Sequence, residues 1–104
     1  MQLYPLKLVT VVGETVIMDD VAREGVELGA TGFTQSEVVG QGSRGTRTSI
    51  VTGASQTMKV EFVVPMDVAE KILRHVSHNY FEHYACIAWL TDVQVVRGMA
   101  YVAP

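Results

Sequence analysis

The stretch Thr57-Met-Lys-Val-Glu-Phe-Val-Val64, closed by Pro65, decides the fold. Met58, Val60, Phe62 and Val64 fall on one side, with Thr57, Lys59 and Glu61 on the other. That alternation is the signature of a half-buried strand, and Pro65 stops it. Asp67 and Glu70 then make an N-cap and N3 pair, which predicts a helix to about His78 with Val68, Ile72 and Val76 inward. The loop Asn79-Tyr-Phe-Glu-His-Tyr84 leads to a last strand from Cys86 to about Val96.

Toward the N-terminus, Leu3 to Val12 is rich in apolar and β-branched residues and reads as a strand. Thr15 is placed to cap the following helix, with Asp19 and Asp20 near its positive end. Ile17, Val21, Gly25 and Leu28 recur on one helical face, and Gly29 ends it. Phe33 to Val38 is a short second strand. The order predicts an α+β, ferredoxin-like βαββαβ fold: a four-stranded antiparallel sheet with two helices on one face.

Two helices cover only one face of such a sheet. The first strand nonetheless carries Leu6, Leu8 and Val12 opposite Val9 and Val11. The last carries Ile87, Trp89, Val93 and Val95 opposite Cys86, Ala88, Leu90 and Val96. A bare sheet face of that composition marks an interface, so a homo-oligomer is expected.

Residues 1–104 form a single domain with enough apolar content, 48%, to build one core. No apolar run approaches the roughly 20 residues of a membrane helix, and Pro5 and Lys7 break up the apolar start where a signal peptide would lie. A lone cysteine, Cys86, allows no internal disulfide and fits a cytoplasmic, reducing setting. A sequence pI near 5.5 argues against broad nucleic-acid binding.

Between Val38 and Lys59 there is no Asp or Glu, but four glycines, seven Ser/Thr and three cations. The chain has net charge −3, so the remainder carries −6 once Arg44, Arg47 and Lys59 are set apart. Glycines at 40, 42 and 45 let backbone N–H groups approach an oxyanion, Ser43 and Thr46 add short donors, and the two arginines can fork onto phosphate. The segment reads as a phosphate cradle for a nucleotide; a soluble hairpin loop is the plainer reading of the same composition.

These segments resemble the PII signal-transduction superfamily. Gly32-Phe-Thr-Gln-Ser-Glu-Val-Val-Gly-Gln-Gly42 is similar to the family's second strand running into its T-loop, here about residues 40–56. Lys59-Val-Glu-Phe-Val-Val-Pro65 is similar to the strand that leaves it. The loop lacks the modifiable tyrosine of nitrogen-sensing PII proteins, and Asn79-Tyr-Phe-Glu-His-Tyr-Ala85 stands where those carry a Gly- and Lys-rich loop. Gly42-Ser-Arg-Gly-Thr-Arg47 together with Tyr80-Phe-x-x-Tyr-Ala85 is instead similar to the SbtB-type PII-like proteins, regulators of the bicarbonate transporter SbtA.

The resemblance implies a homotrimer with adenine nucleotides (cAMP, AMP, ADP or ATP) in the clefts between subunits. It also implies a T-loop that regulates a membrane bicarbonate transporter in inorganic-carbon acquisition, so that a cytoplasmic protein is recruited to the inner membrane. Carried over by position, Gly42, Ser43, Arg44 and Arg47 would meet the phosphate, and Arg97 is the candidate for a terminal-strand phosphate arginine. Thr34 and Glu61 match base and ribose positions, and the segment from Tyr80 to Ile87, with Phe81 and Cys86, would form the cleft wall. The chain ends Met99-Ala-Tyr-Val-Ala-Pro104 without the Cys-Gly-Pro-x-x-Cys tail of many relatives, so the redox control and nucleotide hydrolysis attributed to that tail are not implied.

Other readings fit less well. An acyl-phosphate hydrolase on this topology needs an arginine loop after the first strand, where only Gly13 and Glu14 stand. A nucleotide-hydrolysing enzyme has no legible Ser-His-Asp or Cys-His set to work with, and a non-enzymatic binding module is expected. His75 and His78 lie three apart on one helix, with His83 following, but an exposed helix face accounts for that pair without a metal. An RNA-recognition module would need paired stacking aromatics, and the third strand offers only Phe62.

Overall fold

Strand β1, Leu3–Glu14, is hydrogen-bonded along both edges, and the rest of the chain is arranged around it. The computed structural model describes residues 1–39, 41–42, 45–46 and 57–102. After β1 come α1 (Thr15–Glu27), β2 (Thr34–Glu37), the two-residue strands β3 (Gln41–Gly42) and β4 (Gly45–Thr46), then β5 (Thr57–Val64), α2 (Met66–Tyr80), β6 (Cys86–Val96) and a 3₁₀ turn at Gly98–Tyr101. The main sheet has the order β2-β5-β1-β6 with antiparallel neighbours, and β3 pairs with β4 as a separate ribbon. This is the expected βαββαβ arrangement. Most of the 40–56 loop lies outside the described residues.

Register divides the side chains into two sets. Val9 opposes Phe62 and Val11 opposes Val60, and all four are buried against Ile17, Met18 and Val21 of α1 and Val68, Ala69, Ile72 and Val76 of α2. On the other face Leu8 stands between Val63 and Thr91, Thr10 between Glu61 and Trp89, and Val12 between Lys59 and Ile87. Neither α1 nor α2 covers that face; Leu6 is buried toward its Tyr4 end, but Ile87 and Trp89 are 49% and 43% exposed. The expected second apolar face is therefore present, and it is open in the single chain.

Both helix starts differ from the sequence reading. Glu14, not Thr15, is the N-cap of α1, and Asp19 and Asp20 fall beyond its first turn. The cause is β1, which holds its ladder through Glu14 opposite Thr57 and leaves Thr15 as the first helical residue. In α2 the N-cap is Pro65, whose fixed φ sets the entry, and Asp67 lies inside the first turn, where its charge still meets the positive helix end. Neither helix has a side-chain cap bond. The α1 end matches expectation: Gly29 at φ +128 lets Ala30 N–H reach the Gly25 carbonyl and Gly29 N–H reach Val26, a Schellman ending.

The 3₁₀ turn has no counterpart in the sequence reading. Arg97 takes the left-handed conformation at φ 61, which reverses the chain so that buried Gly98 meets Tyr4. A Cβ at 98 would lie 2.3 Å from the Cβ of Tyr4, so no larger residue fits without displacing that strand end.

Gly25 is the second place where a side chain has no room. A Cβ there would sit 2.3 Å from the ring of Phe62, which is fully buried. Alanine improves helix propensity by about 1 kcal/mol, but overpacking a core ring costs about 1–3 kcal/mol. Gly25→Ala is therefore expected to lower the urea midpoint, and Gly25→Ala/Phe62→Leu to be less destabilised than the two single effects summed. Simple additivity would show that the ring does not rest on Gly25.

Candidate functional site

The polar part of the open face lies at the β2–β5 side, from which the 40–56 loop departs. Thr34 on β2 stands directly opposite Glu61 on β5, and Glu61 opposes Thr10 on β1. The Thr10 hydroxyl donates to Glu61 Oε2 at 3.2 Å, and Lys59 Nζ lies 3.9 Å from Glu61 Oε1. Thr10 is nearly inaccessible, so its bond holds the carboxylate down on the sheet while Thr34 beside it stays exposed. One level along, Ser36 opposes Lys59. A ligand lying on this edge of the face meets hydroxyls, an ammonium and a fixed carboxylate.

The segment that joins α2 to β6 is pinned from β1. Glu14 N–H donates to the Ala85 carbonyl at 3.2 Å, and Ala85 N–H donates to Glu14 Oε2 at 2.6 Å. Tyr84 N–H adds a bond to the Tyr80 carbonyl. One carboxylate residue thus fixes both polar groups of Ala85. No local sequence pattern signals this, because the partners are 71 positions apart.

Tyr80 is tied to the helix layer. Its hydroxyl donates to Glu24 Oε1 at 2.7 Å, and His75 Nε2 faces the same oxygen at 2.8 Å. Asn79 Nδ2 donates to the His75 carbonyl and lies 3.1 Å from His75 Nδ1, an arrangement that makes Nδ1 the acceptor and Nε2–H the donor to Glu24. Burial, and after it the Glu24 carboxylate, holds the Tyr80 phenol above its ordinary range. His75, expected on an exposed face, is half-buried and engaged.

The sequence-derived site residues separate into groups. Thr34, Glu61 and Ile87 share the open face. Cys86 packs on the helix side, where a Cβ at Gly13 would lie 3.4 Å from its Sγ. Tyr80 presents its ring toward Tyr84 and its hydroxyl toward Glu24. Phe81 is exposed and lines, with Trp89, Leu73 and Arg74, a cleft of about 430 Å³ between α2 and β6. Arg97 is exposed at the other end of β6. Gly42 pairs with Gly45 in the small ribbon, while Ser43, Arg44 and Arg47 lie outside the described residues.

Comparison with known proteins gives a consistent result. Residues 6–100 match the family model described as Nitrogen regulatory protein P-II. The PII-like signaling protein TTHA0516 of Thermus thermophilus is 40% identical over 98% of this chain and 100% of its own, with a TM-score of 0.82. CPII of Thiomonas intermedia, a nitrogen regulatory PII-like protein solved with ADP, AMP and bicarbonate, shares the fold at 21% identity, 96% coverage of each chain and a TM-score of 0.84.

The Glu14 latch yields a direct expectation. A hydrogen bond to a charged acceptor contributes about 1.5–3 kcal/mol. Glu14→Ala should therefore speed amide exchange at Ala85 by tenfold or more, with little change at Val9 or Val11 in the sheet centre. Unaltered protection at Ala85 would show that the backbone bond alone holds the loop.

Proposed function

The chain belongs to the P-II family, and on that premise we propose that it is a PII-like regulator of the SbtB type, binding adenine nucleotides between the subunits of a homotrimer. The observation that carries this reading is the polar row Thr34–Glu61–Thr10 at the base of the loop that holds Arg44 and Arg47. Base and ribose rest near that row and phosphate is clamped by Gly42, Ser43, Arg44 and Arg47. The fold-sharing CPII supports the ligand class, having been solved with ADP and AMP. Its bicarbonate makes that anion a natural co-ligand to test beside each nucleotide.

The apolar half of the open face, with Leu8, Ile87, Trp89 and Val93, supports the trimer, since it would otherwise leave large side chains in water. Nucleotide occupancy then selects among states of the 40–56 loop, and the loop docks on a bicarbonate transporter. Regulation of this kind needs only that the loop states differ in nucleotide affinity. Among the described residues no helix is long and apolar enough to cross a membrane, so membrane association in this reading comes from the transporter.

Calorimetric titration with cAMP, AMP, ADP and ATP, with and without bicarbonate, tests the proposal alongside sedimentation. The expected result is a trimer that binds about one nucleotide per chain. Arg47→Ala should keep the trimer and weaken the preferred nucleotide at least tenfold, the loss of one charge-assisted contact of about 1.5–3 kcal/mol. Undiminished affinity in that variant overturns the phosphate clamp, and a monomer overturns the inter-subunit cleft.

A further inference from the structure

We propose that the outward face of α2 carries a separate phosphate-recognising site formed by Lys71, Arg74 and His78. The three recur at i, i+3 and i+7, so their side chains share one helical face. With His75, Asn79 and Leu28, the residue following α1, they line a cleft of about 340 Å³. That volume falls in the range of small-ligand pockets, roughly 300–1,000 Å³.

Charge sets this cleft apart. The chain has eleven acidic and eight basic residues, yet no carboxylate is among the six lining residues. Three other described cations are matched, Lys7 with Asp92, Arg23 with Asp20, Glu24 and Glu27, and Lys59 with Glu61, while Arg97 stands alone among the described residues and exposed beyond β6. Lys71 and His78 make no hydrogen bond or ion pair among the described residues. Arg74 reaches only Glu70, at 3.9 Å. Glu24, which His75 and Tyr80 contact, is not among the lining residues, and its charge is shared with Arg23 at 3.7 Å. His75 is engaged by Glu24 and Asn79 and serves as wall, not ligand.

The chemistry of the three groups selects the anion. Lys71 offers a compact ammonium, Arg74 a planar fork and His78 an imidazole N–H, a donor set suited to phosphate oxygens. Two permanent cations match the charge of a phosphate monoester, about −1.5 to −2 at neutral pH. The phosphate belongs either to a free small molecule or to a lipid headgroup. The site stands on the helix layer, whereas Thr34 and Glu61 lie on the far face of the sheet, so it is independent of the nucleotide reading.

Proton NMR of the imidazole resonances during titration with inorganic pyrophosphate tests the free-phosphate arm, and flotation with phosphatidylglycerol vesicles against phosphatidylcholine vesicles tests the lipid arm. The expected result is a saturable shift at His78 but not at exposed His83, weakened at least tenfold in Lys71→Ala/Arg74→Ala and retained in Arg47→Ala. Flotation on phosphatidylglycerol alone, lost in the same double variant, assigns the phosphate to a headgroup. Both substituted side chains are exposed, and Arg74→Gln gives the same reading at minimal structural cost. Pyrophosphate binding undiminished in the double variant, or no response in either arm, overturns the site.

Discussion

The structure depends on β1 being hydrogen-bonded on both edges. A strand so placed has no free backbone to offer, and its influence is exerted through its two faces and its two ends. One face, with Val9 and Val11, is sealed by the helices. The C-terminal end, Glu14, grips both polar groups of Ala85 and so fixes the segment between α2 and β6. The N-terminal end, at Tyr4, receives Gly98 after the chain reverses at Arg97. The loop segments that the nucleotide reading uses outside 40–56 are thus both anchored to the same strand.

The second face of β1 has a polar side and an apolar side. Toward β2 its neighbours are Thr34, Ser36, Lys59 and Glu61; toward β6 they are Ile87, Trp89 and Val93. Contact with another copy would bury the β6 half and leave the β2 half at the rim, beside the loop with Arg44 and Arg47. A polar site at the edge of an apolar interface is where one subunit's loop can meet a neighbour's surface. The sheet chemistry therefore ties assembly and ligand binding together in the proposed regulator.

The Val60–Phe62–Val64 face of β5 and the α1 face Ile17–Val21–Gly25 were legible, because period 2 and period 3.6 patterns report burial directly, whereas Thr57, read onto the polar side, is fully buried and Met58 only partly so. Gly29 was legible for a backbone reason, and its positive φ bears that out. The helix starts were not: the ladder of β1 and the fixed φ of Pro65 outweighed the capping chemistry of Thr15 and Asp67. Glu14–Ala85 and Glu24–Tyr80 were hidden, since each joins residues more than fifty positions apart and leaves no local pattern. Of the site residues, Thr34 and Glu61 stand opposite each other on β2 and β5, while Cys86 and Ile87, adjacent in sequence, point to opposite faces because a strand alternates.

That alternation constrains how a nucleotide could be held. With its side chain packed at the core, Cys86 can reach a ligand only through its main chain, while Ile87 offers a side chain on the open face. Arg97 lies beyond the far end of β6, eleven positions from Cys86. At about 3.3 Å per residue the two are roughly 35 Å apart along the strand. No single nucleotide spans that length, so Cys86 and Arg97 of one chain cannot both contact it. If both positions serve one ligand, they come from different copies, with the β6 start of one subunit meeting the β6 end of the next. A contact between unlike surfaces gives a ring where its rotation closes and an open filament where it does not. A site that used both positions would thus be complete only in an assembly.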